Sequence, residues 1–111
     1  MSLPLHRSDD FNEDFDLQYR WYLRAAGEEV AERYLAAVLS MLRELASQPG
    51  LGRERKFRHE ELVGLRSFCL ARPFQRHLIF YRVSNEALSA ERILHGMRDL
   101  PRRLRQRPGT E

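Results

Sequence analysis

Residues 76–100 read RHLIFYRVSNEALSAERILHGMRDL. Two apolar runs, His77 to Val83 and Leu88 to Leu94, flank a polar Ser84-Asn85-Glu86 connection. Branched and aromatic side chains suit a pleated, half-buried surface, so the runs predict the two strands of an antiparallel hairpin. The strand pattern breaks at Gly96, where Met97-Arg98-Asp99-Leu100-Pro101 follows.

Towards the N-terminus, Pro73 marks a turn and Leu65 to Ala71 alternates as a further strand. Leu65, Ser67, Cys69 and Ala71 face one side of it, and Arg66, Phe68 and Leu70 the other. Arg53 to Glu61 reads as a solvated basic loop after the helix-stopping Gln48-Pro49-Gly50-Leu51-Gly52. The helix so ended spans Glu28 to Ser47, with Val30, Tyr34, Val38, Met41 and Leu45 as its apolar stripe. An earlier helix is capped by Ser8 and closed by Gly27. Phe11, Phe15, Tyr19 and Tyr22 share its core face, while Asp14, Gln18 and Arg24 fall largely on the other side. Leu3 and Leu5 alternate as a first strand, which Pro4 confines to a sheet edge.

The order is therefore β-α-α-β-β-β, an α+β fold. An N-terminal strand precedes an antiparallel helical hairpin and then a three-stranded antiparallel meander, with both helices on one sheet face. Residues 1–104 are expected to form one domain and residues 105–111 a mobile basic tail.

A chain of 111 residues with 42% hydrophobic and 32% charged content builds a single modest core. No apolar run reaches the roughly 18 residues of a membrane span, and MSLPLHRSDD lacks the apolar segment of a secretory signal. The expectation is a cytoplasmic protein without membrane contact. Cys69 is the only cysteine, which excludes an internal disulfide and reads as a small buried hydrophobe. The four histidines are too scattered for a metal site. Charge is divided unevenly. Residues 1–47 carry five arginines against nine acidic residues, and residues 53–111 carry fourteen Lys/Arg against seven. The basic half suits an acidic partner: nucleic acid, ribosome or an acidic protein segment.

Gly64-Leu65-Arg66-Ser67, Ile79-Phe80-Tyr81-Arg82-Val83 and His95-Gly96-Met97-Arg98-Asp99 resemble the RelE/ParE toxin superfamily, as does Pro49-Gly50-Leu51-Gly52-Arg53. The resemblance covers roughly residues 3–104. It implies the toxin of a type II toxin–antitoxin, or plasmid stabilisation, pair, with no cofactor. RelE-like members cut mRNA on the translating ribosome, which needs a base for the 2′-hydroxyl, an acid for the leaving oxygen and a cation for the phosphorane. ParE-like members inhibit DNA gyrase by protein contact. A degenerate toxin would keep only the antitoxin-binding, regulatory role.

For the nuclease reading the candidates are Arg76, which opens a strand, His95, and Arg98 in the Gly-x-Arg turn. The plainer reading makes His95 structural and pairs Arg98 with Asp99 to fix the turn. Two departures favour ParE: no tyrosine follows the turn, and Met97 stands where nucleases often carry lysine. Candidate surfaces for target or antitoxin are Arg53, Arg55, Lys56, Arg58, Arg66, Tyr81, Arg98, Arg102 and Arg103. The implied partners are an acidic cognate antitoxin that folds on binding, and gyrase or the ribosome with its mRNA. DNA is expected to be reached only through the antitoxin.

Overall fold

The computed structural model describes residues 2–110. Strand β1 (Leu5–Arg7) leads into α1 (Asp9–Ala26) and α2 (Glu28–Ser47). Strands β2 (Arg53–Glu54), β3 (Arg66–Cys69), β4 (His77–Val83) and β5 (Leu88–His95) follow, and α3 (Leu100–Leu104) closes the fold. The sheet order is β1-β5-β4-β3-β2. β1 occupies an edge, as Pro4 requires, and lies parallel to β5 with Leu5 opposite Leu88. A parallel pair needs a long crossover, which the helical hairpin supplies. β2 was not expected: Arg53–Glu54, read as loop, pairs antiparallel with Ser67 and Arg66.

Ser8 ties helix to sheet. Its Oγ accepts the Phe11 N–H at 3.0 Å and donates to the Glu91 carbonyl at 2.7 Å. Gly27 alone joins α1 to α2 at φ 93°, a left-handed value that glycine adopts without steric cost. Its N–H donates to Tyr22 O.

Alternation along β4 builds two cores. Ile79 and Tyr81 meet Phe11, Tyr34, Val38, Leu42 and Leu45 on the helical side. Leu78 and Phe80 meet Leu62, Leu65, Leu94, Leu100 and Leu104 on the other. The second core was not foreseen. The segment after β2, expected to be only solvated, covers that face together with α3. Arg82 pins it by donating to the carbonyls of Glu61 and Val63. The closing segment, expected as a mobile tail, also makes contacts: Pro108 is buried, and Gln106 O accepts from Arg92 Nη1 at 2.7 Å.

Candidate functional site

The antiparallel register puts His77 opposite His95 at the open end of the β4–β5 pair. There Gly96 N–H donates to Arg76 O at 2.8 Å, so Arg76, His95 and the Gly96 turn share one corner. The turn is held by Arg103, whose guanidinium donates to His95 O at 2.7 Å and to Arg98 O at 3.1 Å. Asp99 takes φ 51° and pairs with Arg102 at 3.2 Å, not with Arg98. The expected Arg98–Asp99 pair is thus replaced. The Arg98 side chain is exposed and has no hydrogen-bond or ionic partner among the described residues, and Met97 beside it is 63% exposed.

His77 is buried, with its Nε2 sharing a 2.9 Å hydrogen bond with Tyr22 OH. Its ring centroid lies 4.8 Å from that of His95. Burial, with His95 alongside, lowers His77 to about 4. Partial burial and the charges of Arg76 and Arg103 push His95 below its ordinary value as well. Both rings are therefore neutral at pH 7. Among the described residues, no carboxylate or tyrosine hydroxyl is bonded to His95. The corner offers cations and a neutral imidazole, but no paired acid.

Beside this corner, α1, β5 and the closing segment enclose an open groove of about 590 Å³. Leu17 and Trp21 line it while 41% and 52% exposed, facing His95, Arg103 and Arg107. At its base Asp14 receives Arg92 through two bonds, Nε to Oδ2 at 2.7 Å and Nη2 to Oδ1 at 3.0 Å. Ile93 N–H adds a third donor at 3.1 Å. Arg92 Nη1 also serves the carbonyls of Arg103, Leu104 and Gln106. Burial drives the Asp14 carboxyl upward, against the pull of Arg92 and the Ile93 N–H. Asp14, placed by its spacing on the outer face of α1, is in fact only 8% exposed. Sequence reasoning also missed Leu17 and Trp21. Their signal was an apolar pair four residues apart, lying beside the aromatic core stripe rather than on it.

The remaining candidates lie on the central strand β4, around β2 and β3, and on α3. Tyr81 is fully buried; its hydroxyl accepts the Gly52 N–H at 2.9 Å and donates to Pro49 O at 2.8 Å. It presents no surface to a partner, which corrects its reading as a contact residue. Arg66 donates to Gly52 O at 2.6 Å and Arg55 to Ser67 Oγ at 3.1 Å, so both brace the β2 corner. Arg53, Lys56 and Arg58 are exposed, and Lys56 and Arg58 share a second concavity with Arg102. No group of three or more metal-ligating side chains occurs among the described residues. Among the same residues, no helix is long and apolar enough to cross a membrane.

A solved structure titled "Chromosomal ParDE TA system from P. aeruginosa" contains a chain similar to this one, with a TM-score of 0.70. The likeness covers 86% of this chain and 98% of that chain at 20% identity, and is a likeness of fold. A search of curated proteins finds no match. The family described as "ParE toxin of type II toxin-antitoxin system, parDE" matches residues 5–100, from β1 through the Gly96 turn to the start of α3. The chain belongs to the ParE toxin family of type II toxin–antitoxin systems.

Proposed function

We propose that this protein arrests its host by binding DNA gyrase, and that an acidic antitoxin neutralises it by seating a segment in the Leu17–Trp21 groove. The observation that carries the reading is the Met97-Arg98 tip. An exposed methionine and an arginine without a side-chain partner among the described residues project from a turn braced by two Arg103 hydrogen bonds. A preorganised tip of this kind suits recognition of a protein surface, where apolar and guanidinium anchors dominate affinity. The groove has the complementary character for an amphipathic acidic segment: large apolar anchoring residues on one wall and arginines on the other.

RNA cleavage is the second reading, supported by His95 lying neutral beside Arg76 in the corner that ends in Arg98. It lacks a group placed to protonate the leaving oxygen. The deciding assay mixes purified protein with gyrase, ATP and relaxed plasmid. Lost supercoiling with accumulated cleaved DNA is the expected result. Unimpaired gyrase, together with mRNA cut on translating ribosomes, would replace this reading with the nuclease one.

A further inference from the structure

On the far side of α3 from the groove, Lys56, Arg58, Arg102 and Arg105, with His59, ring an open cup of about 710 Å³. Among the described residues its apolar floor is only Phe57 and Pro101, and no carboxylate lines it. Asp99 pairs with Arg102 at 3.2 Å, but both side chains are more than half exposed, and an ion pair so solvated screens little of the cup's field. Glu54 and Glu60, neighbours in sequence, are exposed and form no ion pair with the cup's cations.

We propose that this cup binds the phosphodiester backbone of duplex DNA directly, a contact independent of any antitoxin. Three features favour this partner over a peptide or a single strand. Guanidinium forks match phosphate oxygens in pairs, and three of the four full cations are arginines. A peptide would need apolar anchors, and none of the exposed large hydrophobics among the described residues (Leu17, Trp21, Leu23, Val63, Val83 and Met97) lines the cup. A single strand would need a free aromatic face for its bases, whereas the Arg55 guanidinium already stacks 5.3 Å from the Phe57 centroid. What remains is a rim of cations facing a partner of high linear charge, which the duplex provides. The proposal does not rest on gyrase being the target, because the chain alone performs the binding.

The test is fluorescence anisotropy of the purified chain with a labelled random duplex of roughly 20 base pairs, across a salt series. Binding is expected with Kd on the order of 10 µM at physiological salt and a log–log salt slope of about −3. K56A/R58A/R105A should weaken binding at least about tenfold and flatten the slope. R20A/R24A/R33A, which removes equal charge from the helical side, should change Kd less than about twofold. The single reversal Lys56→Glu gives the same answer with minimal perturbation of this exposed site. Equal losses in the two triple variants would overturn the proposal, showing only diffuse attraction. So would tighter binding of a single strand or of a polyglutamate peptide than of the duplex at matched salt.

Discussion

Asp14 on α1 and Arg92 on β5 lie 78 residues apart in sequence and meet at 2.7 Å in a buried bidentate pair. The pair holds together three separate parts of the fold. Asp14 anchors the first helix to β5, and the spare Arg92 nitrogen gathers the carbonyls of α3 and the closing segment. Removing one member leaves the other charge stranded in the interior, the expensive way to break such a pair. Asp14→Ala and Arg92→Ala are each expected to cost about 3–5 kcal/mol in urea denaturation. The double variant should cost clearly less than their sum. Strict additivity would mean that the two charges stabilise the fold independently.

Tyr34 and Tyr81 are both fully buried, and only one has its hydroxyl satisfied. Tyr34 OH has no hydrogen-bond partner among the described residues, whereas Tyr81 OH bridges Gly52 N–H and Pro49 O. Deleting an unsatisfied buried hydroxyl removes a desolvation penalty; deleting a satisfied one creates a new orphan. Tyr34→Phe should therefore stabilise by about 1 kcal/mol, and Tyr81→Phe should destabilise by about 1–3 kcal/mol. Opposite shifts in Tm check this directly. Equal shifts of one sign would contradict it.

The same bridge explains Gly52. A Cβ there would lie 2.5 Å from Tyr81 OH and 2.8 Å from the Ser67 carbonyl. The tyrosine is locked in the core and the carbonyl belongs to the backbone of β3, so neither yields cheaply. Gly52→Ala is expected to lose roughly 1–3 kcal/mol through overpacking. Gly50→Ala, with open space around its Cβ position, should lose far less. Chemical denaturation of the two variants side by side separates them.

How far these features could be read from sequence depends on the distance over which each is decided. The β4–β5 hairpin and the Gly27 break were legible because alternation, helical spacing and glycine act locally. Register did the rest for the corner: once His77 faces His95, Arg76 and the Gly96 turn must be neighbours. Leu100 and Leu104 stand singly in polar surroundings and Leu62 ends an acidic run, and only the second face of the sheet makes them core. Asp14 was misplaced for the same reason. Helical spacing sees one helix, while its partner lies on the last strand. Tyr81, expected as a contact residue, shares the helical face of β4 with Ile79 and is buried with it.

His77 sets a pH dependence. Its value falls from 6.5 to about 4 in the folded chain, so the unfolded chain takes up the proton first as pH drops. The stability is complete above pH 6.5 and is lost progressively between 6.5 and about 4. The shift corresponds to roughly 2 kcal/mol once partial solvent screening on the His95 side is allowed for. Thermal melts of the wild-type protein and His77→Phe at pH 7.5, 6 and 5, values that bracket roughly the range of an ordinary histidine, measure it. The variant should lose stability less steeply over this range. Parallel curves would remove His77 as the cause.

The tip and the groove should separate toxicity from neutralisation. Met97 and Arg98 are exposed and bear none of the core, so M97S/R98A should fold normally, lose gyrase inhibition and still bind antitoxin. Trp21→Ala removes the largest exposed apolar surface of the groove while leaving the tip intact. As a central anchor it is expected to cost about 2 kcal/mol of antitoxin affinity, or roughly thirtyfold in Kd, with inhibition unchanged. Gyrase supercoiling and calorimetric titration with the antitoxin read the two effects apart. If both variants lost both activities, antitoxin and target would be competing for one continuous surface, and the division between tip and groove would have to be abandoned.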